Sequence, residues 1–216
     1  MPLIQTPLSL LLSYGGAAVF AASGALAAAR QKHDVITFAF FAALTGVGGG
    51  TLRDLLLRQP VFWIEDPNQL LICVAVGMLV WIFGLGRLPV RALLWLDAVG
   101  LSAVAILGAD KALALGVAAP VAVVMGVLTA AAGGIIRDVV AGEPSVLLRR
   151  EIYITAALGG CLALVLTDHL LARQAAGTLG FVVALALRVG ALVFGWTLPG
   201  HRGGLARRAG GPTAPG

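Results

Sequence analysis

Six charged residues stand in hydrophobic surroundings: Arg53, Asp54, Asp97, Arg137, Asp138 and Arg188. Four of them form two Arg-Asp pairs, and each pair follows a glycine cluster. Gly48-Gly49-Gly50 precedes Arg53-Asp54, and Gly133-Gly134 precedes Arg137-Asp138, 84 positions downstream. At the same spacing Thr45 falls on Thr129 and Pro60 on Pro144. The three arginines and three aspartates cancel in charge. Their chemistry is electrostatic: interior ion pairs that could line a water-filled path, the usual setting for ionisable groups inside an apolar bundle. The competing reading puts the Arg-Asp pairs at the lipid headgroups, each Arg reaching outward on its apolar stem. Against it, apolar residues follow both motifs, and each charge in a span costs about 2.5–3.5 kcal/mol on insertion scales. An Arg and the Asp beside it point to different helix faces, so each is expected to need a further partner.

The glycines admit two roles. They let transmembrane backbones approach closely, or they kink or break the helices that carry them. A break frees carbonyls, which are tolerated in a membrane only where they line protein or water. Freed carbonyls are also what a dehydrated cation needs as replacement ligands.

The elements that hold these residues are helices in a membrane. Of 216 residues, 59% are hydrophobic and only 12% charged, with a mean hydropathy of +0.98. A soluble domain carries about a quarter charged residues. The apolar runs cover residues 8–29, 35–52, 67–86, 92–109, 112–136, 152–167 and 177–196. Most approach the ~18 or more residues that cross a bilayer as helix. Pro120 is expected to kink the fifth run. The absence of a basic residue before the first run points to a retained first helix rather than a cleaved signal.

The expected fold is therefore an all-α membrane protein of seven transmembrane helices. Residues 8–86 form a first three-helix repeat and 92–172 a second, with 177–198 as a seventh helix and 199–216 as a disordered tail. Three helices per repeat is odd, so the copies run in opposite senses through the bilayer, with the functional centre at their interface. Residues 20–26 match 96–102 if the second copy carries an insertion of eight residues.

A net charge of +5 would suggest nucleic acid in a soluble chain. Here the basic residues lie between apolar runs, and the positive-inside rule accounts for them. Arg30, Lys32, Arg87, Arg91, Arg149, Arg150, Arg202, Arg207 and Arg208 fall on one face, against Arg58, Lys111 and Arg173 on the other. The expected orientation in a bacterial inner membrane is N-terminus outside and C-terminus in the cytoplasm. Cys73 and Cys161 read as small buried hydrophobes. His33, His169 and His201 lie near run ends or in the tail, so no metal site is expected. No Walker, Rossmann, Ser-His-Asp or HExxH pattern occurs, and enzymatic activity has no support.

With GVGGGTLRD at 46–54 and AAGGIIRD at 131–138, the chain resembles the prokaryotic branch of the trimeric intracellular cation channel family over nearly all of residues 8–198. The resemblance implies a homotrimer with one pathway through each subunit, formed largely by the second and fifth helices kinked at their glycines. It implies preference for monovalent cations, chiefly potassium, and a lipid-bearing interface between subunits. No cofactor is expected beyond the transported ion and bound lipid. The animal members' Lys-Glu-Val signature is missing, so their calcium-linked behaviour is not carried over. The alternative is a secondary transporter of a small zwitterion such as glycine, whose amine and carboxylate an Asp and an Arg from opposite repeats could meet.

Overall fold

The computed structural model describes residues 7–84, 90–144 and 152–197. These residues form helices α1 (Pro7–Arg30), α2 (Val35–Leu56), α3 (Phe62–Glu65), α4 (Asn68–Ile82), α5 (Val90–Ala114), α6 (Ala119–Val140), α7 (Ile154–Thr167) and α8 (Arg173–Phe194). Five of them, α1, α2, α5, α6 and α8, are long and apolar enough to cross a membrane; α4 and α7 are shorter apolar helices of 15 and 14 residues. The one-turn helix α3 lies in a stretch that the hydropathy pattern reads only as a connector. Arg87, Arg149 and Arg150, the proposed tail and its three arginines lie outside the described residues.

The helix ends follow from local chemistry. Asp34 caps α2 by accepting a hydrogen bond from the Thr37 amide (2.8 Å), which holds its carboxyl below the ordinary range. α2 and α6 close with an equivalent backbone hydrogen bond, Gln59 N to Asp54 O (2.8 Å) in one and Glu143 N to Asp138 O (2.9 Å) in the other. Each closure passes through a left-handed residue, Arg58 (φ 53°) in one and Gly142 (φ 65°) in the other. α1 and α5 end alike, with Lys32 (φ 58°) and Gly116 (φ 75°) in the equivalent place.

Hydropathy divides α5 from α6 in the wrong place. α5 continues through Asp110 and Lys111 to Ala114, and α6 begins only at Ala119. Both charges are satisfied in the helix, Asp110 by Arg173 (2.6 Å) and Lys111 by Asp54 (2.8 Å). Pro120 consequently sits in the first turn of α6, where its missing N–H costs nothing, and does not kink the helix. Nor is there an insertion of eight residues. The bounds of α1 and α5, and of α2 and α6, match at the spacing of 84 to within a residue.

α2 packs on α1, α4 and α6, while α5 packs on α1, α6, α7 and α8. One apolar core gathers around Phe20, Leu101, Ile106 and Leu164, and a second around Phe38, Phe41, Leu26 and Val80. Both cysteines are buried and free, as expected. Their thiols reach the carbonyls of Ala17 and Ala105, each 56 residues upstream.

Candidate functional site

The glycine clusters meet at the seam between α2 and α6. A side chain at Gly49 would strike the Thr129 carbonyl, and one at Gly133 would stand 2.8 Å from the Thr45 carbonyl. Only hydrogen fits on either side, so the two backbones touch directly. Gly48 faces the Ile136 side chain, Gly50 the Phe62 ring and Gly134 the Tyr153 hydroxyl. The helices run unbroken through all five glycines. The expectation of broken helices with freed carbonyls is thus corrected: close packing of a neighbour supports each helix where a side chain is missing. Thr45 and Thr129 spend their hydroxyls on the carbonyls of Phe41 and Met125, one turn back.

A charged cluster lies at the C-terminal end of each of these helices. At the α6 end, Arg137 bonds to Asp97 of α5 (2.8 Å), to Asp138 beside it (2.8 Å) and to the Ser23 hydroxyl of α1 (3.1 Å). Arg137 and Asp97 are 1% and 0% exposed, which removes Arg137 from any headgroup. Arg188 of α8 is equally buried, its guanidinium 5.1 Å from the centre of the Tyr153 ring. This makes it a cation–π partner inside the bundle, not a lipid contact.

At the α2 end, Asp54 is fully buried and accepts from Arg53 (2.8 Å), from Lys111 of α5 (2.8 Å) and from the Phe62 amide (3.0 Å). Arg53 lies over the Phe62 ring at 5.6 Å. In both clusters the adjacent Arg and Asp pair, and neither pair relies on its neighbour alone. The long Arg stem folds back along the helix to reach its neighbour, and further partners are added from other helices. Buried charges persist only with such multiple pairing.

The structure therefore gathers Asp97, Arg137, Asp138 and Arg188 toward one end and Arg53 with Asp54 at the other. Sequence reasoning missed Ser23, Tyr153, Phe62 and Lys111. Lys111 was readable as a charge bordering an apolar run, but its distance of 57 residues from Asp54 hid the pairing.

A family model described as Glycine transporter matches the chain twice, over residues 10–84 and 94–169. A solved structure of the TRIC trimeric intracellular cation channel orthologue from Rhodobacter sphaeroides is 46% identical, with a TM-score of 0.84, over 88% of this chain and 100% of that one. The chain belongs to the prokaryotic TRIC-type family. Another solved member of that group, studied for conductance through TRIC cation channels, is 29% identical with a TM-score of 0.80, covering 91% of this chain and 98% of its own. The UPF0126 inner membrane protein YadS of Escherichia coli strain K12 is 40% identical over 191 residues, 85% of this chain and 91% of YadS. The all-helical architecture is the TRIC fold, and the chain is a membrane protein.

Proposed function

We propose that this TRIC-type protein is a monovalent-cation channel, potassium-preferring, with one pathway in each subunit of a homotrimer. The pathway follows the α2–α6 seam. The observation that carries the reading is the seam itself: two helices in direct backbone contact through Gly49 and Gly133, with a buried charged cluster at either end. The likeness at 46% identity to a solved TRIC channel supports the same reading. In the packed seam no side chain separates the helices, so conduction requires them to part or bend. The glycines offer the backbone freedom for that, and this is the sense in which Gly48, Gly49, Gly50, Gly133 and Gly134 act as hinges.

The architecture behind it is a pair of inverted three-helix units, α1–α2–α4 and α5–α6–α7, plus α8. The matching helix ends and the double family match support that division. An odd number of helices per unit sets the copies in opposite senses. The N-terminus lies outside and the C-terminus in the cytoplasm by the positive-inside rule. Lipid fills the interfaces between subunits.

Bilayer recording of the purified protein under asymmetric potassium chloride tests the function. Unitary current steps reversing near the potassium equilibrium potential are expected. Smooth, saturable uptake without unitary currents would overturn the channel reading. A second reading, transport of glycine, is favoured by the description of the matching family model. Counterflow of labelled glycine into proteoliposomes would establish it, and its absence in vesicles that conduct potassium would dispose of it.

A further inference from the structure

The connector between α2 and α4 is tied to the α2 end of the seam more closely than a connector requires. The Phe62 amide donates to Asp54 Oδ2 (3.0 Å), and the Phe62 ring lies against Gly50, 2.5 Å from where a Cβ would stand. Arg53 covers the same ring at 5.6 Å. The next residue, Trp63, donates its indole N–H to the Thr51 hydroxyl (2.9 Å), which itself donates to the Val47 carbonyl (2.8 Å). Four of the five α2 residues from Gly50 to Asp54, all but Leu52, thus hold two aromatic residues of a one-turn helix.

We propose that α3 is a hinged lid whose Phe62 closes the α2 end of the seam, with Asp54 as its latch. The proposal rests on the channel reading given above. Three features set α3 apart from a passive strap. It is seated on Gly50, the residue adjoining the close-packed Gly49, so movement of α2 against α6 carries the seat of Phe62 with it. Its latch is shared, because Asp54 Oδ1 also takes Arg53 and Lys111. Displacement of the α5 end therefore reaches the lid through Lys111. Finally, Arg58 at the start of the connector holds φ 53° without being glycine, in the left-handed region that residues with a side chain rarely adopt. The segment can relax there when the latch opens.

The test is the open fraction of single channels in planar bilayers. Phe62→Ala removes the ring and is expected to raise the open fraction about threefold or more at unchanged unitary conductance, the response of a two-state equilibrium losing one closed-state contact. Trp63→Phe keeps the bulk but loses the indole donor, and should shift opening the same way by about twofold; it serves if Phe62→Ala does not fold. Lys111→Met should speed hydrogen exchange at the Phe62 amide about tenfold, as expected for local opening of a latched segment. Conducting variants whose open fraction matches the parent overturn the lid and leave the pathway standing. A parent protein that carries no current overturns the channel reading, and the lid falls with it.

Discussion

The ends of α2 and α6 are built to one plan and charged differently. Each has an Arg-Asp pair, a glycine cluster one turn back and the same hydrogen-bonded closure. The difference comes from α5, which runs beside both. Near its start it supplies Asp97 to Arg137; in its last turn it supplies Lys111 to Asp54. The positions of α1 at the matching spacing are Ser13 and Ala27, neither charged. One helix thus adds an acid to one end and a base to the other. The α6 end is then neutralised by Arg188, whereas the α2 end keeps one positive charge in excess among Arg53, Asp54 and Lys111. The α2 end also carries Phe62 and Trp63 as a cover. Similar sequence motifs therefore do not make equivalent helix ends. An identical pair of residues acquires its electrostatic character from whichever helix is laid against it.

The comparison breaks most severely at Asp97. Asp97→Ser copies α1 onto α5 and strips Arg137 of its deepest partner. Loss of one member of a buried pair typically costs about 3–5 kcal/mol. The expected result is a large fall in the melting temperature of the detergent-solubilised protein, followed by size-exclusion fluorescence. Introducing Arg137→Gln into the Asp97→Ser background should restore part of it, since no uncompensated guanidinium then remains.

Next come the seam glycines. Gly49→Ala and Gly133→Ala each push a methyl group into a backbone carbonyl, and overpacking of this kind costs about 1–3 kcal/mol. Gly49→Ala should be the worse, because its clash is the tighter one. Equal melting temperatures for the two would show that the seam yields where the distances say it cannot.

Lys111→Ala makes the α2 end resemble the other half of the molecule and removes the excess charge. Lys111 is partly exposed, with 18% of its side chain accessible. Its hydrogen bond to a charged partner is worth about 1.5–3 kcal/mol when buried, and solvent screening brings the expected loss to the lower end. Thermal shift reads the stability. Recordings at low and high salt should show the variant's current depending less on ionic strength, because the fixed charge at that end is gone.

The smallest effect belongs to Arg58. Arg58→Gly copies Gly142 and relieves the left-handed backbone, a gain of up to about 1 kcal/mol after the entropy cost of glycine is subtracted. A melting temperature that falls instead would show that the Arg58 side chain contributes more than its backbone loses.

Much of this protein was legible as text. The repetition of GGGTLRD, the spacing of the apolar runs and the lack of polar surface point to membrane helices in two related halves. Helix periodicity and hydrophobic length are properties of the chain alone, so α1, α2, α4 and α7 begin or end close to where composition places them. The Arg-Asp pairs were recognisable as interior charges because so apolar a chain has few reasons to keep them. Other features were not legible. The glycine runs read equally as breaks and as contacts, and only the Thr129 and Thr45 carbonyls of the facing helices decide for contact. α5 looks as though it should stop at Asp110, since hydropathy cannot see that Arg173 and Asp54 wait to satisfy Asp110 and Lys111. Tertiary structure decided which carboxylate meets which base, because Coulomb energy depends on distance in space and burial rather than on order in the chain. The sequence determined that charges would be kept inside this bundle; the packing of α5 against both ends determined what those charges became.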